Sequence, residues 1–120
     1  LDPLNGYLLL AKALNKSPEL FSSAYNFGPV TTDNFTVEKT VKTLLKYWEG
    51  KYQLHEDQDS FHEANTLNLQ IDKSIQQLKW LPKWDFETTL RHTMNWYVSY
   101  HHGKSALELT LKDINNFLRK

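Results

Sequence analysis

The sequence predicts a helix-rich α/β domain in which short strands separate longer helices. Three observations lead there. Val37, Val41, Leu44, Leu45 and Trp48 fall at i, i+4, i+7, i+8 and i+11, the stripe of one helical face. Leu67, Leu69 and Ile71 instead alternate with polar residues, the period of a half-buried strand. Between such segments stand start and stop residues, Asp2-Pro3, Thr36, Gly50, Asp85 and Gly103, which delimit the helices.

The elements follow in order. The first helix opens at Asp2, a side-chain cap, and at Pro3, whose missing N–H costs nothing in a first turn. It extends to about residue 14, with Leu4, Leu8, Ala11 and Leu14 on its apolar face. Residues 24–27 read as a short strand ended by Gly28-Pro29. Thr36 caps the amphipathic helix that Gly50 closes. Residues 52–54 suggest a second short strand, and residues 67–71 a third. Asp72 is expected to cap a helix through Leu78. Asp85 caps a longer one to about residue 100, with Phe86, Leu90, Met94, Tyr97 and Val98 inward. Residues 106–118 form the last helix. No repeat, low-complexity stretch or linker divides the chain, so it reads as a single region, 1–120.

Composition excludes several functions. The 14 basic and 14 acidic residues cancel, and the only arginines are Arg91 and Arg119. Nucleic-acid affinity rests on clustered Lys and Arg, so no nucleic-acid partner is expected. The absence of cysteine removes disulfides and thiolate metal sites, and fits a reducing cytoplasm. The longest apolar run, residues 7–11, is too short to span a bilayer, so no membrane partner is expected either. The sequons at Asn15 and Asn34 are read as accidental, because no secretion signal accompanies them.

Residue chemistry alone points to no catalyst. None of the five histidines shows zinc-ligand spacing, and His101-His102 sit where a helix C-terminus favours positive charge. No metal site is expected. Trp48 and Trp96 lie in helical segments and read as packing residues. Trp80 and Trp84 flank Pro82 and read as packing around a corner, with stacking on a sugar as the alternative. No glycine-rich dinucleotide loop, P-loop or G-x-S-x-G occurs. On residues alone, Glu63 is a solvated carboxylate.

The order of motifs adds a resemblance. Asp2-Pro3-Leu4-Asn5-Gly6-Tyr7-Leu8-Leu9-Leu10-Ala11 is followed by Tyr25-Asn26-Phe27-Gly28-Pro29 and His62-Glu63-Ala64. Lys73 comes next, then Leu78-Lys79-Trp80-Leu81-Pro82-Lys83-Trp84 and Asn95-Trp96-Tyr97. This series resembles the C-terminal third of the CDP-glucose 4,6-dehydratases, which are extended short-chain dehydrogenases/reductases. The L-x-W-x-P corner is common to that superfamily. D-P-L-N-G-Y-L-L-L-A and N-F-G-P joined to H-E-A are what narrow it to the CDP-glucose branch.

The resemblance implies a helix-rich C-terminal substrate-binding region, with the Rossmann domain outside this chain. NAD and the catalytic Tyr-x-x-x-Lys pair would belong to that domain, leaving this chain without a catalytic residue or cofactor of its own. The implied partner is a nucleotide-sugar, CDP-glucose, in a cytoplasmic homodimer that makes polysaccharide precursors such as O-antigen. Glu63 stands ten residues before Lys73, the position of an acidic residue that contacts the nucleotide ribose in related epimerases. His62 would touch the base or phosphate. Ser60 stands where epimerases carry a phosphate-binding arginine, so diphosphate contacts must come from elsewhere. Lys79 stands where the family has glycine at a left-handed helix end. Residues 1–30 would pack toward the Rossmann domain, and apart from it they would be loose or paired with a second copy. The alternatives are a GDP-, UDP- or dTDP-sugar dehydratase or epimerase, and a non-catalytic carbohydrate or protein interaction module.

Overall fold

The computed structural model describes residues 1–30, 35–53 and 69–119. In these stretches six helices form: α1 (Asp2–Lys16), α2 (Pro18–Phe21), α3 (Val37–Leu44), α4 (Asp72–Leu78), α5 (Phe86–His101) and α6 (Ala106–Arg119). They make two groups. α1 packs on α2 and α4, while α5 packs on α3 and α6. Among the described residues no helix of one group packs directly on a helix of the other. The corner between α4 and α5 joins them.

Two expected caps hold. The Thr36 hydroxyl accepts from the Lys39 backbone N–H at 3.1 Å, and the Asp85 carboxylate accepts from that of Thr88 at 2.7 Å. Each satisfies one of the orphan donors of a first turn. Asp2 and Asp72 are corrections, since each lies inside the first turn of its helix, after Leu1 and Ile71 as N-caps. Their carboxylates are engaged elsewhere: Asp2 with the corner described below, and Asp72 with the Gln70 side-chain amide at 3.2 Å. α3 is also shorter than its stripe. After Leu44 the chain tightens into turns, with Lys46 donating to the Thr43 carbonyl at 3.2 Å and Tyr47 to that of Leu44 at 3.0 Å. Leu45 and Trp48 nevertheless stay beside Met94 of α5, so the apolar stripe outlasts the helix.

The strands are the larger difference. Among the described residues none forms; residues 54 and 67–68 of the other two expected strands lie outside them. Residues 24–27 are irregular because side chains meet their backbone groups. Lys73 donates its ammonium to the Ala24 carbonyl (3.1 Å), and the fully buried Ser74 donates its hydroxyl to the Asn26 carbonyl (2.5 Å). The Asn26 amide in turn donates to the Gln70 carbonyl at 3.1 Å. The segment is thus laced to α4 and its approach, which replaces a strand ladder as the way of pairing its backbone groups.

α1 turns a different face inward from the one its periodicity suggested. Leu4 and Leu8 are 57% and 71% exposed, while Gly6 is buried and Leu9 and Leu10 pack against Phe27, Ile71 and Trp80. Gly6 explains the choice. Its missing side chain lets the helix close onto the Phe27 ring, which a Cβ there would overlap. Gly6→Ala should therefore destabilise the protein by about 1–3 kcal/mol, as overpacking does, despite alanine's better helix propensity. A urea melt checks this, and unchanged or raised stability would mean that the ring yields freely.

Candidate ligand groove at the tryptophan corner

The corner begins where α4 stops. Lys79 takes the left-handed conformation, φ 54° and ψ 29°, and the following Trp80 N–H donates to the Ser74 carbonyl at 3.3 Å. The left-handed end expected of glycine is thus adopted by a lysine, at a steric cost of roughly 1–2 kcal/mol. Trp80 is then driven into the core, 1% exposed, edge-on to Phe27 at 5.1 Å between ring centroids. Its indole N–H donates to the Asp2 carbonyl at 3.1 Å.

Asp2 fastens the far side. Its carboxylate accepts the Lys83 N–H at 2.6 Å and the Trp84 N–H at 3.3 Å, so one residue at the start of α1 holds both flanks of Pro82. Trp84 is thereby presented to the second helical group. Its ring stacks on His92 of α5, with centroids 4.1 Å apart and planes 19° off parallel, and meets Phe117 of α6 edge-on at 5.3 Å. His92 Nδ1 lies 2.8 Å from the Asp113 carboxylate, linking α5 to α6.

A groove of about 940 Å³ opens over this corner. That volume falls within the range of small-molecule sites. Aromatic rings line it, among them Phe35, Trp84, Phe86, Trp96 and Tyr97, with Thr40, Thr89, Thr93 and Thr110 between them. Phe35 and Phe86 stack at 3.8 Å. The charged groups of the lining are already engaged. Asp2 and Asp85 accept backbone N–H groups, Asp113 faces His92, and the Lys83 ammonium lies 3.4 Å from the Phe117 carbonyl and 4.9 Å from that ring. Among the described residues, then, the groove suits a neutral ring system better than a phosphate. The shifted titrations lie elsewhere, on the exposed face of α3. There a hydrogen bond and the charge of Lys42 lower the Glu38 carboxyl, and the same contact raises Lys42.

Ser60, His62 and Glu63 lie outside the described residues. Lys73, ten positions beyond Glu63, donates to the Ser23 hydroxyl at 2.7 Å and sits over the Tyr25 ring at 4.6 Å. Leu69, the first described residue after that segment, lines the groove. Among the described residues no three His, Asp or Glu side chains gather as metal ligands, and no helix is long and apolar enough to cross a membrane. His102 is a C-cap, its Nδ1 2.7 Å from the Val98 carbonyl. Two Tyr-x-x-x-Lys spacings do occur in this chain, Tyr47/Lys51 and Tyr100/Lys104. The first falls in the turns after α3 and the second runs off the C-terminal end of α5 at His101, so in neither do the two residues share a helical face as a catalytic pair would.

Sequence reasoning missed the Asp2 clamp and the His92–Asp113 pair. The clamp spans 81 residues and leaves no local trace. The pair leaves one: Leu109, Asp113 and Phe117 stand at i, i+4 and i+8 on the covered side of α6, which places a carboxylate in an otherwise apolar row.

No family model matches the chain. It is 31% identical over 119 residues to a CDP-glucose 4,6-dehydratase of Salmonella typhimurium. The alignment covers 98% of this chain and 33% of that relative, so the chain spans about a third of the relative's length. The chain is thus a distant, partial homologue of that enzyme, and the resemblance drawn from its motifs is borne out.

Proposed function

We propose that this chain is the C-terminal, nucleotide-holding part of a CDP-glucose 4,6-dehydratase. The observation that carries the reading is the similarity itself, continuous over 98% of the chain and confined to a third of a dehydratase. The net reaction would remove water from CDP-D-glucose to leave CDP-4-keto-6-deoxy-D-glucose. Oxidation at C4, loss of water across C5–C6 and reduction at C6 require a redox cofactor, and the relative's class of enzyme uses NAD for this. The described residues do not fit a dinucleotide, because no helix among them follows a strand through a glycine-rich turn. NAD would therefore be held by the rest of a longer protein. This chain would recognise the nucleotide and close one side of the cleft, with no catalytic step of its own.

Glu63 is the residue proposed for the ribose, because a carboxylate can accept hydrogen bonds from both ribose hydroxyls. His62 would lie against the base or phosphate, and Ser60 would border the diphosphate. The outward Leu4 and Leu8 of α1 would pack against the Rossmann portion. A cytoplasmic homodimer remains part of the proposal.

The test is a product assay on the protein that carries this chain. Release of the 4-keto-6-deoxy sugar from CDP-glucose supports the reading. Turnover of a GDP-, UDP- or dTDP-sugar instead would overturn the substrate, and sugar binding with no turnover of any of them would favour a non-catalytic module. Glu63→Ala should weaken CDP-glucose binding by about 1.5–3 kcal/mol, the range for hydrogen bonds to a charged group, with NAD retention unchanged. An unaltered calorimetric titration would return Glu63 to solvent.

A further inference from the structure

We infer that the His92–Asp113 pair, backed by Trp84, recognises a hydroxyl of the ligand's sugar ring, with His92 Nε2 as the accepting atom. This rests on the nucleotide-sugar reading above and assigns the sugar, not the nucleotide, to the groove.

Chemistry sets the direction of the bond. An ionised carboxylate can only accept, so the 2.8 Å contact calls for a proton on Nδ1, and in the neutral imidazole this leaves Nε2 a lone-pair acceptor. The carboxylate partner also fixes the ring's orientation, as it does wherever an Asp–His pair presents a nitrogen to a ligand. The stack on Trp84 holds the ring plane as well. Both side chains line the groove and are about one-fifth exposed, 20% and 22%, so the pair is sheltered yet reachable. Nε2 has no partner among the described residues. A bridge between α5 and α6 needs Nδ1 and the carboxylate, but it does not account for an oriented acceptor at the groove wall.

The surroundings choose the ligand. Trp84, Trp96 and Tyr97 offer apolar ring faces, against which the C–H face of a pyranose can lie. Thr110 accepts the Trp96 indole N–H at 3.2 Å, which leaves its own O–H free to donate. One acceptor and one donor beside flat rings match a neutral, hydroxyl-bearing ring. The only lysine of the lining is turned toward Phe117, so a diphosphate finds no matching charge among the described residues.

The experiment compares CDP-glucose with CDP by calorimetry, using the whole protein that carries this chain. His92→Phe keeps the stack and removes the acceptor; His92→Gln keeps an amide oxygen that can accept. The Phe variant should bind CDP-glucose about tenfold more weakly while its affinity for CDP is unchanged, and the Gln variant should recover part of the difference. The ratio of the two affinities is the readout, because a merely structural bridge would move both together. An unchanged ratio in both variants, or a parallel loss for both ligands, would overturn the assignment to His92 and leave the nucleotide-sugar reading standing. A wild-type protein that binds neither ligand would remove the reading itself.

Discussion

Replacing Trp80 by alanine is expected to destabilise the protein by about 3–5 kcal/mol, the range for deleting a large aromatic from a core. Three contacts set that size. The ring is 1% exposed, packs edge-on against Phe27 and donates its N–H to the Asp2 carbonyl. Truncation would leave a cavity bordered by Phe27, Ile71 and the inner leucines of α1, and would remove the indole hydrogen bond to Asp2. Since ordinary stabilities are about 5–15 kcal/mol, the variant should unfold at markedly lower denaturant. Trp80→Phe keeps an aromatic ring but loses the N–H and part of the apolar volume, so it should cost about 1–3 kcal/mol. Denaturant melts of the three proteins check the order. A Trp80→Ala protein as stable as the wild type, but deficient in ligand affinity, would mean that the ring stacks on sugar; its burial leaves no face for that.

Asp2→Ala should cost about 3 kcal/mol, through two hydrogen bonds to a carboxylate at roughly 1.5 kcal/mol each. The low end applies because the Lys83 N–H that it accepts at 2.6 Å lies in an exposed contact, whereas the Trp84 N–H is partly buried. The effect should extend beyond stability. With the corner released, Trp84 loses the anchor that sets it against His92 and Phe117, so the groove should loosen as well. Amide hydrogen exchange at Lys83 and Trp84 should rise in Asp2→Ala, whereas Asp2→Asn, which keeps one accepting oxygen, should protect only the amide that this oxygen meets, because its NH2 faces the other N–H. Equal protection in all three proteins would mean that Asp2 is an ordinary first-turn acid favoured by the helix dipole alone.

These two residues mark where the sequence was informative and where it was not. Trp80 was legible as a packing residue, because an indole beside proline and just past a helix end has few other roles. Asp2 was misread as a cap. Asp-Pro is a strong local start signal, and nothing within the first turn shows that the carboxylate is taken by backbone 81 residues away. The same contrast holds for Thr36 and Asp85, whose caps are settled three residues on and were read correctly. His92–Asp113 falls between the cases, since its trace in α6 was a polar residue in an apolar row and its partner lay on another helix.

By itself the sequence determined where α3 and α5 begin, through Thr36 and Asp85, whose side chains bond within a single turn, and it carried the motifs that match a dehydratase. The tertiary structure decided everything that required a choice between equivalent neighbours. Residues 7–11 of α1 are apolar on nearly every side, so periodicity could not select a face; the contact between Gly6 and Phe27 did, turning Leu9 and Leu10 inward and Leu8 outward. Residues 24–27 could have formed a strand had their backbone found a ladder. Instead, Lys73 and Ser74 of α4 reach their carbonyls first. The reason is common to both cases. A local pattern limits which groups are available to bury or to bond, while the partner that takes them is supplied by a distant part of the chain, and only packing brings it within reach.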